Sequence, residues 1–372
     1  MPTGQEEVWR FTPVKQLRAL LTGGPTDAQL DWVQHYPAGV TGRDIELAEA
    51  RQRSVEPPAD RVAALAHQYA GRAQLIEVPA NLDATEPVRI TLRGTDAATP
   101  VFSHVVVRVG EQANVRLLLR FEGSAAFAGK FDVVVEQGAN VDLVMLNDWA
   151  PDAIHAAQVS VSVGRDAHVR TVQASLGGAL VRVVERARFD GPGGELEQFG
   201  LYFVEGGQHV EHRLFIDHTA PATRSQVDYR GALQNPGRST AGGKAESAHA
   251  VWVGDVLIRR AAVGINTYEA NRNLLLTEGC RADSIPNLEI ETGNIEGAGH
   301  SSTTGRFDDE QLFYLCSRGI PEDEARRLVV QGFFGDIIRR IHVPEIEERL
   351  QAAVERELAA ITGGDTASQG LA

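Results

Sequence analysis

The most chemically suggestive residue in the sequence is a histidine among small neighbours. His300 follows Gly297-Ala298-Gly299 and precedes a hydroxyl run, Ser301, Ser302, Thr303 and Thr304. Small residues let a backbone pass close to another chain, and a neutral imidazole is a competent metal ligand and a proton acceptor. Other groups offer less. His209, His212 and His218 lie close in sequence, but on a strand positions 209 and 212 face opposite sides and cannot chelate together without a bulge. Hydrogen-bonded or exposed histidines are therefore expected there. Cys280 follows Gly279 at a strand end and reads as a small packed thiol. Cys316, among Phe313, Leu315 and Ile320, reads as core packing. The two make neither a disulfide framework nor a CxxC knuckle. Gly237 to Ala245, GRSTAGGKA, narrowly misses a phosphate-binding loop: Gly243 separates Gly242 from Lys244, and Ala245 has no hydroxyl for magnesium. Any ATP chemistry must then come from a partner. No nucleophile–base–orienter set and no suggestive carboxylate pair is present, so the chain reads as a non-enzyme.

Composition narrows the partners. A net charge of −14 over 372 residues, with lysine only at 15, 130 and 244, is soluble and repelled by phosphate backbones, which argues against nucleic acid. No run approaches the roughly 18 apolar residues of a membrane span. MPTGQEEVWRF lacks the basic and apolar regions of a signal peptide, so a cytoplasmic location is expected.

The elements that must position His300 are strands. Residues 1–72 read as a mainly helical preface, with Val14, Leu17, Leu20 and Leu21 at helical spacing and a second amphipathic run, Arg61 to Tyr69, after Pro57-Pro58. From 73 to 305 the period is two, as in Val105, Val107, Val109 and Val159, Val161, Val163. A small turn feeding a strand recurs at Val115, Val141, Val169 and Leu196, in steps of 26, 28 and 27 residues, and half-steps of 14 also occur. Two strands per repeat with no helix-length insert suit a solenoid of stacked β-coils, with a β-sandwich as the competing architecture. Helical signals return over 306–362. Asp308 can cap a helix with Gln311 at the third position, Gly319 can end it, and Pro321 can open the next, which carries Leu328, Val329, Phe333 and Phe334. A last amphipathic run holds Ile346, Leu350, Ala353 and Leu358, and residues 363–372, GGDTASQGLA, read as a disordered tail.

Four stretches together resemble the SufB/SufD family of iron–sulfur cluster assembly proteins. They are Glu6-Glu7-Val8-Trp9-Arg10-Phe11-Thr12-Pro13; Tyr268 to Leu276, YEANRNLLL; Arg281 to Ile290, RADSIPNLEI; and Phe313 to Ile320, FYLCSRGI. The resemblance implies a mainly β fold, a right-handed parallel β-helix flanked by helical regions. It also implies a role with a SufB partner bound through the β-helices and with the ATPase SufC bound through the C-terminal helices. Phe333, Phe334, Arg339 and Arg340 are then expected to dock SufC. His300 matches the family histidine that faces the cluster-building side of SufB, and is a metal ligand only within the complex. SufB-type chains carry cysteine where this one has Ile290 and glutamate where it has Ser301, so the SufD side of the family is implied. Many SufD sequences have a cysteine where this chain has Ala298, so no thiol comes from that point. No cofactor is expected on the isolated chain; a transient iron–sulfur cluster or a flavin in the complex, and a homodimer of the chain alone, stay open. A SufB-like scaffold is the alternative, and a carbohydrate-active β-helix enzyme a remote one.

Overall fold

The computed structural model describes residues 1–235, 247–306 and 309–340, together with 347, 348, 351, 352 and 355. The GRSTAGGKA loop, the Asp308 cap, the last amphipathic run and the tail lie outside the described residues.

Alternating apolar residues between short turns produce one continuous parallel β-helix. It begins with β3 (Arg72–Val78) and two long strands, β4 (Val88–Val109) and β5 (Asn114–Val135). After β5 the chain alternates between two sheets. The even sheet stacks β6 (Asn140–Trp149), β8 (His168–Ser175), β10 (Glu195–Glu205), β12 (Arg224–Gln234), β14 (Asn266–Leu275) and β16 (Gly297–Arg306). The odd sheet stacks β7 (Ile154–Val163), β9 (Leu180–Phe189), β11 (His209–His218), β13 (His249–Ile258) and β15 (Arg281–Ile290). All these neighbours pair in parallel. The repeat expected from spacing is met residue for residue: Val115 sits beside Val141, Val141 beside Val169, and Val169 beside Leu196. A sandwich, whose strands would be antiparallel, is excluded.

One corner explains the spacing. Gln112, Gly138, Asp166, Gly193, Ala222 and Gly264 all have positive φ, between 51° and 77°. Each donates its N–H to the adjacent coil: Gly138 to the Arg165 carbonyl, Asp166 to Pro192, Gly193 to Pro221, Ala222 to Val263 and Gly264 to Asn294. A left-handed residue is thus required once per coil, which is why Gly and polar turn residues recur at that step.

The N-terminal region departs from expectation. It holds α1 (Arg18–Thr22), α2 (Leu47–Gln52) and α3 (Arg61–Tyr69), but also two strands, β1 (Asp31–His35) and β2 (Thr41–Ile45), which pair antiparallel with β4 and β3. Short exposed strands such as DWVQH alternate over too few residues to stand out from helix. The run 61–69 is helical as expected, with the Asp60 carboxylate accepting from the Ala63 N–H. Trp9, Leu17, Leu20, Leu21, Val62 and Leu65 cover Phe102, Ala126 and Leu180 on the outer odd face. Buried charges pin the same layer down. Arg182 binds Asp60, the Val8 carbonyl and Glu211, and stacks over Trp9.

At the other end α4 (Asp309–Ser317) stops at Gly319, whose φ is +86°, with N–H groups of Gly319 and Ile320 returning to Cys316 and Leu315. Then α5 (Glu322–Arg340), which follows Pro321 as expected, lies on the outer face of the even sheet.

Candidate functional site

The site forms where the β-helix ends. Strands β15 and β16 each have a hydrogen-bonded neighbour on one side only, so the last coil leaves two rows of unpaired backbone groups. Period two sets the side chains. Ala298 packs against the interior cluster, so His300, two residues on, faces the same way, and its side chain is 43% exposed because no further coil covers it. One coil inward, Glu269 is its register partner on β14 and is nearly fully buried. The His300 Nδ1 lies 3.8 Å from Glu269 Oε1.

Glu269 is the residue that sequence reasoning missed. Burial, then the nearby Asp255 carboxylate, pushes its carboxyl up to about 8. Its Oε1 has no hydrogen-bond partner, nor have Trp252 Nε1 and Ser284 Oγ in the neighbouring strands. Such groups are costly when left unsatisfied. Gly254 makes the room: a Cβ there would lie 2.4 Å from both Glu269 Oε2 and the Trp252 ring. The one available signal was that Glu269 falls at an interior, period-two position beside the strand of His300.

Further along the axis the interior stays polar. The Tyr229 hydroxyl donates to Glu185 at 2.6 Å, the Tyr202 hydroxyl to Asn273 at 2.6 Å, and Asn271 donates to Tyr202 at 3.0 Å. Asn273 reaches Thr304 Oγ1, on the strand of His300, at 3.5 Å.

The other nominated residues separate. Phe334 is fully buried with Val144, Val172, Phe199 and Leu201. That corrects its assignment as an exposed docking residue: the phenyl ring covers the apolar outer face of the even sheet. Phe333 packs on the same cluster, and its carbonyl accepts from Arg230 at 2.7 Å. Arg339 is largely exposed and pairs with Asp336; Arg340 approaches Asp228 at 3.7 Å. The exposed large apolar side chains described in this region are instead Phe313, at 75%, Tyr314, at 56%, and Leu328, at 44%. Cys316 is accordingly half-buried on α4 rather than in a core. Cys280 is also half-buried, its thiol pushed up by burial, and packs against the interior cluster.

The three nearby histidines are buried and bonded. His212 contacts Ser175 at 3.2 Å, and His218 lies between Thr223 and Ser225 at 2.7 and 2.9 Å. Among the described residues no three His, Cys, Asp or Glu side chains converge on a metal position. On the outer even face Arg170 takes up both Asp142 and Glu197, at 3.5 and 2.7 Å, so these carboxylates are neutralised. No described helix is long and apolar enough to cross a membrane.

Comparison with known proteins gives these features a context. Residues 91–333, from within β4 to within α5, match the SUF system FeS cluster assembly SufBD core domain. An iron–sulfur cluster assembly SufBD family protein of Mycobacterium bovis is 47% identical over 96% of this chain and 89% of its own length. A SufBD family protein of Mycobacterium leprae is 44% identical over 99% and 93%. The iron–sulfur cluster assembly protein SufD of Bacillus subtilis is 24% identical over 76% and 63%.

Proposed function

The chain belongs to the SufBD family of iron–sulfur cluster assembly proteins, and on that premise we propose that it is the SufD-type, non-enzymatic subunit of a cytoplasmic complex with SufB and SufC. The observation that supports this most is the last coil. His300 stands at an open end of the β-helix, over the buried Glu269 carboxyl and between bare strand edges. A SufB β-helix end would cover those edges and bring its cluster-building side to His300. Iron, sulfide or the nascent cluster is then the cargo, and the imidazole serves as ligand or proton acceptor. Ile290 and Ser301, in place of a cysteine and a glutamate, stand against the SufB-like alternative.

SufC docks on the C-terminal helices. In the proposed surface Phe313 and Tyr314 of α4 supply the apolar contact and Arg339 the charge, while Phe333 and Phe334 hold α5 to the β-helix.

Co-purification with tagged SufB and SufC tests the assignment. His300→Ala is expected to leave the complex intact and abolish cluster assembly in cells; normal assembly would reduce His300 to a packing residue. Phe313→Asp is expected to lose the SufC pull-down with SufB retained. Unchanged SufC capture would remove α4 from the interface.

A further inference from the structure

On the outer odd face, away from His300, two histidines meet in an arrangement with no role in the function above. His209 on β11 and His249 on β13 are register partners. Their Nδ1 atoms are 3.1 Å apart. Their other nitrogens face carboxylates: His209 Nε2 lies 3.3 Å from Glu211 Oε2, and His249 Nε2 lies 2.7 Å from Asp283 Oδ2. Both carboxylates are themselves anchored, Glu211 by Thr12, Arg182 and Arg213, and Asp283 by Arg281.

The tautomers follow by counting protons. A carboxylate already paired with arginine accepts from its other neighbours, so each histidine carries its proton on Nε2. Two neutral rings then aim two Nδ1 lone pairs at each other across 3.1 Å. One way to satisfy both is a shared proton, which makes the pair a net monocation. The other is a cation lying on both lone-pair axes.

Ring geometry separates the two. A straight N–H···N bond at this separation would put the ring centres roughly 5.4 Å apart. They are 4.8 Å apart and inclined at 68°, so the ring axes converge instead of meeting end to end. With metal–nitrogen bonds of about 2.0–2.1 Å, nitrogens 3.1 Å apart subtend an angle of about 100°, between octahedral and tetrahedral values. A carboxylate behind each imidazole is the arrangement that fixes a metal-binding tautomer and raises ligand basicity.

We propose that His209 and His249 form a bidentate site for a divalent first-row transition ion such as Zn2+, with Glu211 and Asp283 orienting the rings. The His249 side chain is 20% exposed, so the ion enters from the surface and completes its shell with water. Two protein ligands make an exchangeable site.

The test uses the full chain stripped with a chelator, titrated with Zn2+ and, as a spectroscopic probe, Co2+. Wild type is expected to take up one ion that His300→Ala keeps and His249→Ala loses, with a visible Co2+ absorption lost in parallel. Asp283→Asn, which leaves both ligands in place, is expected to weaken binding by about 10–100-fold. An unchanged unfolding midpoint of His249→Ala in chelator shows that the fold survives. No uptake by wild type would assign the pair a shared proton and overturn the proposal, as would undiminished uptake by His249→Ala.

Discussion

The two ends of the β-helix interior are built from different chemistry. In the early coils Phe121, Phe127, Phe131 and Trp149 fill the axis, with Phe121 edge-on to Phe131 at 5.9 Å. Even the histidine there behaves as an aromatic: His155 meets Phe121 at 5.0 Å, and burial pulls it down to about 3, so it is neutral. In the late coils the interior holds Glu185, His212, Tyr229, Asn271, Asn273 and Glu269. The early end is flanked by β1 and β2, with Leu30, Trp32, Tyr36 and Val40 packed on the interior cluster, and lends stability through buried area. The late end is open, and part of that stability is given up there to polar groups on the axis. The same coil geometry serves both, so the two ends differ in what fills the axis.

The sharpest way to break this contrast is to mutate both ends and compare costs. Phe121→Ala, at a fully buried ring, should cost about 3–5 kcal/mol in denaturant unfolding while leaving His300 in place. A cost below about 1 kcal/mol would mean the aromatic stack is not the stabilising end.

Glu269→Gln probes the open end by pH. Its folded pKa of about 8 lies above the ordinary 4.5. Its contribution is therefore whole below the ordinary value and is lost as pH rises to 8. The glutamine variant never ionises, so its advantage over the parent should grow across this window to a few kcal/mol at most. Parallel stability curves for the two proteins would show that this carboxyl is not desolvated.

Tyr229→Phe removes the hydroxyl that donates to the buried Glu185 and should cost about 1–3 kcal/mol, less than Phe121→Ala. Equal costs would erase the distinction between the ends. The smallest effect should come from Ala222→Gly at the shared corner. Alanine there holds φ at +55°, so glycine relieves strain and should stabilise by under about 1 kcal/mol after its own entropy loss. A loss of stability would mean the corner is held by packing on the alanine methyl.

The repeat was legible in sequence because each coil needs one left-handed corner, and the residues that tolerate it recur at the coil length. His300 was legible through its small neighbours and through the family stretches. Phe334 was misplaced because period and propensity locate α5 without saying which of its sides meets the β-helix. The even sheet has apolar residues on both faces, Val144 and Leu146 outward and Leu143 and Met145 inward, and only the outward ones reveal a covering helix. Glu269 was hidden for a different reason. Its meaning depends on Gly254 and Trp252 of the opposite sheet, 15 and 17 residues earlier in the chain, and strand periodicity carries no information across sheets.

The unequal ends also give the molecule a direction in time. Each coil is held by its neighbours, so opening spreads from whichever end has only one neighbour. At the early end β1 and β2 pair with β4 and β3, whereas β15 and β16 have no strand beyond them. Amide hydrogens of β16 and β15 should then exchange first, followed in order by β14 and β13, with β5 and β6 last. A partner seated on the final coil would lengthen the lifetime of every coil behind it.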